Sequence, residues 1–124
     1  MSGTMLMEVA HETQHFSREE EEEFLSALGD ESSRRMLLLL DRVPGTVQSL
    51  VAALHLPQST VYHKLHELQK AGLVAVQSVV INPEGKRVMY YRSLIEDVQV
   101  EIAFGKLDVR IRCRDLAVER SAPL

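Results

Sequence analysis

The chain has 124 residues, 45% of them apolar, about the size of one domain with one modest core. No stretch approaches the ~20 uninterrupted apolar residues of a membrane helix; the longest aliphatic run is Met36 to Leu40, and the start "MSGTMLMEVAHETQHF" lacks the basic opening and long apolar centre of a secretory signal, so a soluble cytoplasmic protein is expected. The single cysteine, Cys113, excludes an internal disulfide and a thiolate metal cluster within one chain, and the formal net charge of −4 weighs against a polyanionic partner until its distribution is considered. Residues 1–54 carry ten acids and four Lys/Arg, whereas residues 55–92 carry Glu67 and Glu84 against Lys64, Lys70, Lys86, Arg87 and Arg92. The basic excess is local, and a polyanion responds to the local field.

Residues 1–16 have no clear period and read as a flexible arm. "SREE" at 17–20 fits a capping box that opens a first helix, with Glu19 to Glu23 at the positive end of its dipole and Gly29 as its stop. The glutamate run is a solvated helix start, and it should point away from any nucleic acid. Asp30 is a good N-cap for a second helix, "ESSRRMLLLLDR", whose four successive leucines suggest a helix enclosed on most sides. Pro44-Gly45 turns the chain, and Thr46 caps a short third helix with Leu50, Val51 and Leu54 at helical spacing. His55-Leu56-Pro57 breaks it. A fourth helix runs from about Gln58 to Ala71 with Val61, Leu65 and Leu68 inward, and Gly72 ends it.

Beyond Leu73 the pattern becomes strand-like. "LVAVQSVVI", "NPEG" and "KRVMYYRSL" read as a hairpin. Val98, Val100, Ile102 and Phe104 then alternate with polar residues, as do Leu107, Val109, Ile111 and Cys113. Gly105-Lys106 between them suits a tight turn with Gly in the first central position. This reads as a second hairpin; the competing reading is a helix from Ser93 to Phe104, because Leu94, Val98 and Ile102 also match an i+4 period. Residues 116–124 look like a frayed tail.

Two short helices joined by a tight turn, followed by a hairpin, describe a winged helix-turn-helix. A helix fits the major groove of DNA, and a ribbon beside it can touch the backbone or minor groove. With the stripe of Val61, Leu65 and Leu68 inward, Gln58, Ser59, Tyr62, His63 and His66 face out. Gln58 can bond adenine bidentately, Tyr62 and His63 can reach base edges or phosphates, and Ser59 and Thr60 lie where free backbone amides attract phosphate. Lys64 and Lys70 are candidate backbone contacts. His66, like His63, would attract phosphate as imidazolium.

The ordered succession "LSALGDESSRRMLLLL", "VQSLVAALHLPQSTVYHKLHELQKAGLV" and "GKRVMYYRS" resembles the winged helix-turn-helix domain of ArsR-type transcriptional regulators over roughly residues 20–93. The resemblance implies an α+β fold: a helical core plus β-hairpin wing over residues 17–93. To this the chain adds a C-terminal β-hairpin, residues 94–115, as a candidate dimerisation element. It also implies a repressor that binds double-stranded DNA at a palindromic operator as a homodimer. Family-like DNA contacts fall on Gln58, Ser59, Thr60, Tyr62 and His63, with Lys86 and Arg87 on the wing. The sequence departs from metal-sensing members: "VPGTVQSLV" offers no cysteine or histidine, and a strand-like segment occupies the place of the usual C-terminal dimerisation helix. No metal and no cofactor are expected.

The remaining candidates have plain readings. His11 and His15 have the i, i+4 spacing of a metal pair, yet a solvated arm accounts for them. One of Tyr90 and Tyr91 should pack and one face out. Cys113 reads as apolar filler. No nucleophile–base pair, phosphate loop or catalytic carboxylate pair stands out, so an enzyme is not expected. The alternative to a DNA-binding regulator is a winged-helix module for protein contact, since fold alone does not settle function.

Overall fold

The computed structural model describes residues 13–14, 17–114 and 119–120. Its helices follow their caps. In α1 (Arg18–Gly29), the Glu20 N–H donates to Ser17 Oγ at 3.2 Å and the Ser17 N–H to Glu20 Oε1 at 2.9 Å, which is the expected capping box. The helix ends at Gly29, as expected, but through Asp30 in an extended conformation rather than a left-handed glycine. Asp30 also starts α2 (Glu31–Arg42), accepting from the N–H and the hydroxyl of Ser33, both at 2.9 Å. A third donor, Lys64 Nζ, reaches the same carboxylate oxygen at 2.8 Å. The Lys64 bond, then those from Ser33, hold the Asp30 carboxyl down at about 2.

The four leucines of α2 are not enclosed on most sides. Leu37 and Leu40 are buried with Met36, while Leu38 is 67% exposed. Successive residues point 100° apart round a helix, and here only one side of α2 has partners among the described residues. The C-terminal carbonyls of α2 meet arginines: Arg92 Nε donates to Leu40 O at 2.9 Å and Arg92 Nη2 to Asp41 O at 3.0 Å, and Arg114 Nη2 reaches Asp41 Oδ1 at 2.7 Å.

Thr46 and Ser49 form a second capping box that opens α3 (Val47–Leu54). His55 ends α3 in the left-handed region at φ 56°, donating its N–H to Val51 O, and Leu56-Pro57 leads straight into α4 (Gln58–Lys70). At the far end of α4, Gly72 at φ 78° lets the Leu73 N–H reach Leu68 O and the Gly72 N–H reach Gln69 O. The sharp reversal throws Leu73 and Val74 into the core.

The wing is β2 (Val74–Ile81) antiparallel to β3 (Arg87–Ser93), with a bulge between Val76 and Ser78. Gly45 exchanges two backbone bonds with Tyr91, at 2.9 and 2.7 Å, tying the start of α3 to the wing. A Cβ on Gly45 would meet Leu40 Cδ2 at 3.0 Å and Ser49 Oγ at 3.1 Å, so glycine lets this turn sit close against α2 and the start of α3.

The segment after the wing is a hairpin, β4 (Ile95–Ala103) and β5 (Lys106–Cys113). Its turn differs from expectation. The central residues are Phe104 and Gly105, both at positive φ, a type I′ turn rather than one with Gly105 first. Val109 and Ile111 bury into the same cluster as Phe24, Met36, Leu65 and Leu68, so the base of this hairpin belongs to the one core. Cys113 is half-buried against it, and burial pushes its thiol up. Within the expected arm, β1 (Thr13–Gln14) pairs antiparallel with β5. Within the expected tail, β6 (Glu119–Arg120) pairs parallel with β2. The two sheets thus run β1-β5-β4 and β3-β2-β6. His11 and His15 lie outside the described residues.

Asp30 yields a pH prediction. Its folded-state pKa lies below the unfolded value, so its contribution is complete above about pH 4 and fades as pH falls toward 2. With its side chain 41% exposed, solvent screening leaves about 1 kcal/mol. Asp30→Asn keeps a capping oxygen and removes the charge. The unfolding free energy from urea titration should fall less between pH 6 and pH 3 in this variant than in the wild type, by about half that amount; equal falls would refute the assignment.

Candidate nucleic-acid interface

The roll of α4 about its axis is set by Val61, Leu65 and Leu68, which are fully buried. At 100° per residue, the strip opposite them is Ser59, His63, His66 and Lys70. These four are exposed, as are Gln58 and Tyr62; Thr60 and Lys64 are half-buried. The helix opens at Pro57 without a side-chain cap, and its first intrahelical bond from this end runs from the Val61 N–H to Pro57 O. The amides of Gln58, Ser59 and Thr60 therefore stand at an uncapped helix start, the arrangement that attracts an anionic oxygen.

Tyr62 turns toward the wing. Between the start of α3, Tyr62 and the wing lies a groove of about 560 Å³, bordered by Thr46, Gln48, Asn82, Lys86, Arg87 and Met89. Its floor includes Tyr91, whose hydroxyl donates to Met89 Sδ at 3.6 Å. Burial, then the neighbouring Tyr62, pushes the Tyr91 phenol up, so it stays neutral. The wing tip is braced by one side chain. Asn82 Oδ1 accepts from the Glu84 N–H at 3.0 Å and the Lys86 N–H at 2.9 Å, and Gly85 at φ 81° closes the turn. Lys86 and Arg87 are exposed at the root of β3 beside this brace.

The other flank of α4 is acidic. A second groove runs between α1 and α4, bordered by Glu22, Glu23, Asp30, His63, Lys64 and Glu67. Part of the glutamate run therefore stands beside α4, where the sequence reading has it pointing away from nucleic acid. Lys64 spends its charge on Asp30, and Arg92 on the end of α2. Of the five cations in residues 55–92, Lys70, Lys86 and Arg87 remain for an outside partner. The field across α4 is thus polar in a directional sense, positive toward the wing and negative toward α1.

Sequence reasoning missed Thr46, Gln48 and Asn82 at this surface. The signals were present: the Thr46 cap and the "NPEG" turn each place a polar side chain at an element boundary. What the sequence did not reveal is that the Gly45–Tyr91 bridge draws the two boundaries to one groove.

Helices α3 and α4 joined by a three-residue turn, with a hairpin wing tied to the start of α3, define a winged helix-turn-helix protein, the α+β fold expected from the three ArsR-like motifs. Residues 28–77 match a family of helix-turn-helix domains, a span from the end of α1 to the bulge in β2. The chain is similar in structure to NolR from Sinorhizobium fredii, with a TM-score of 0.50 and 25% sequence identity over 67% of this chain and 83% of that one. No curated protein sequence matches the chain. None of the helices among the described residues is long and apolar enough to cross a membrane.

Asn82→Ala should loosen the wing tip without unfolding the core. Hydrogen exchange at the Glu84 and Lys86 amides should rise about tenfold, corresponding to ~1.4 kcal/mol of lost bracing, while the amides of α4 are unchanged. Unchanged exchange at both wing amides would show that the turn holds without the Asn82 side chain.

Proposed function

We propose that the chain is a sequence-specific DNA-binding transcription regulator, a repressor acting as a homodimer on a palindromic operator. The observation that carries this reading is the uncovered polar side of α4: its apolar stripe is sealed in the core, its N-terminal amides are uncapped, and a cationic wing flanks it. In this reading Ser59, His63 and His66 enter the major groove, and Gln58 and Tyr62 face the bases or the strand nearer the wing. Thr60 and the helix start meet a phosphate, and Lys86 and Arg87 ride the adjacent backbone. Lys64 supports rather than touches DNA, because its ammonium is held by Asp30. The acidic α1 flank repels the second strand and so fixes which way the helix lies in the groove.

One observation favours the alternative, a module for protein contact. With Lys64 and Arg92 engaged internally, few cations are left to neutralise phosphates. A salt titration separates the two. A phosphate-bound regulator loses affinity steeply as salt rises, whereas affinity for duplex that is absent or insensitive to salt refutes the DNA reading.

The operator is to be obtained by selecting bound duplexes from a random pool. Gln58→Ala or His63→Ala should then cut the preference for it by ~1–3 kcal/mol per lost base contact. Lys86→Ala and Arg87→Ala should weaken all duplexes alike and each lower the salt slope by about one. Four variants that bind as the wild type does would place the interface elsewhere.

A further inference from the structure

The second hairpin carries an apolar face that outruns the core. At its base Val98, Val109 and Ile111 pack inward, but further out the same face shows Val100, Leu107 and the 80% exposed Ile102 to solvent, and Phe104 in the turn beyond is 100% exposed. Among the described residues β4 is also the open edge of its sheet, since β5 lies between it and β1. The type I′ turn fixes which backbone groups that edge presents. Its closing pair, Ala103↔Lys106, is hydrogen-bonded, and antiparallel pairs alternate. The N–H and C=O groups of Ala103, Glu101 and Gln99 therefore face β5, while those of Ile102, Val100 and Val98 face outward. The free edge and the apolar face are thus built from the same three residues.

We propose that the chain dimerises through this edge, β4 pairing antiparallel with β4 of a second copy about a two-fold axis at Val100, with Phe104 of each copy seated against the other. The proposal rests on the homodimer reading above and names its interface. In this register Val100 faces the partner's Val100, and Val98 faces the partner's Ile102, so every outward backbone group between Val98 and Ile102 finds a partner. Charge selects the register. Centring on Gln99 sets Asp97 opposite Glu101 twice, and centring on Glu101 sets that carboxylate against itself; centring on Val100 places Glu101 opposite Gln99. The same alignment brings Phe104 level with the partner's Glu96. There a groove of about 350 Å³ opens between α2 and β4, bordered by Leu28, Leu37, Leu38, Ile95 and Val98. A fully exposed phenyl ring and an apolar groove with exposed Leu38 at its rim thereby cover each other.

The exposed apolar groups support a second copy as the occupant: Ile102 and Phe104, 80% and 100% exposed, lie toward the partner in this register, and Leu38 at the groove rim is 67% exposed. An isologous contact also places two identical α4 helices about one axis, as an inverted-repeat operator requires.

Val100→Pro tests the pairing. Its missing N–H points away from β5, so the hairpin keeps its own bonds while the dimer loses its central ones. The wild type should sediment as a dimer and Val100→Pro as a monomer, with dimer dissociation raised at least tenfold and circular dichroism unchanged. Val100→Cys in a Cys113→Ser background should cross-link under mild oxidation, because opposed Cα atoms in such a pair lie about 5.5 Å apart. This second variant decides the matter should the proline variant fail to fold. A monomeric wild type would overturn the proposal, as would a dimer that survives Val100→Pro or resists the cross-link. So would a monomer whose Val98, Val100 and Ile102 amides are protected, since the chain's own arm would then cover the edge. Duplex binding separates the two readings. A monomeric Val100→Pro that still binds random duplex with the wild-type salt slope supports both; a β4 dimer with no affinity for duplex keeps this interface and removes the DNA reading.

Discussion

The burial of one apolar stripe decides the surface this protein offers. Val61, Leu65 and Leu68 have almost no exposure, and each contributes about 1.5–3 kcal/mol by leaving water. Rolling α4 by a single residue would turn it 100° and drive Tyr62 or His66 into a close-packed core. No contact on the polar side could repay that. The strip from Ser59 to Lys70 is therefore positioned by what lies behind it, and so is the distance from that strip to the wing. Gly45 carries the constraint further: by exchanging two backbone bonds with Tyr91, it ties the start of α3, the wing and the floor between them into one unit.

Charge is distributed by the same internal needs. Asp30 caps α2, and the best available cation to balance it is Lys64, on the helix across the groove. Arg92 donates to the Leu40 and Asp41 carbonyls at the other end of α2, and Arg114 pairs with the Asp41 carboxylate beside them. These bonds hold α2 against its neighbours at both ends, and they withdraw cations from the surface. What is left outward is asymmetric, with Lys86 and Arg87 on one flank of α4 and Glu22, Glu23 and Glu67 on the other. A net count over residues 55–92 hides this, because it treats a lysine spent on a cap as equal to one free in solvent.

Local chemistry made most of the architecture readable. Caps at Ser17, Asp30 and Thr46 act within three residues of themselves, and so announced their helices without help from the fold. The wing was equally plain, since "NPEG" and its β-branched flanks form a hairpin from nearest neighbours alone. The readings that went astray depended on distant partners. "MLLLL" suggested an enclosed helix, but whether Leu38 meets a neighbour is decided by elements far along the chain, and in the described structure it meets little. Gly29 does mark the end of α1, but the means is Asp30, which takes the next helix's amides in an extended conformation and leaves no left-handed position for glycine to fill. The groove beside the wing required knowing that Gly45 and Tyr91 touch, which no local pattern states.

The second hairpin shows why periodicity alone could not separate strand from helix between Ser93 and Phe104. Leu94, Val98 and Ile102 lie on one side of a helix, and Val98, Val100 and Ile102 on one side of a strand, so half of the apolar residues satisfy both periods. The decision comes from residues 106–113, where Leu107, Val109 and Ile111 alternate with Asp108, Arg110 and Arg112, and a helix would turn Val109 to the side opposite Leu107 and Ile111. Such a strand cannot stand alone; it needs an antiparallel neighbour, and the tight turn at Phe104-Gly105 supplies the preceding segment. Once that pairing forms, Arg112 of β5 meets Glu96 of β4 across it, while Arg110 pairs with Asp108 along β5 itself. The turn sets Phe104 at the tip with positive φ, a costly position for a large side chain that finds no cover within its own described chain. A residue held there gains its burial from outside or not at all.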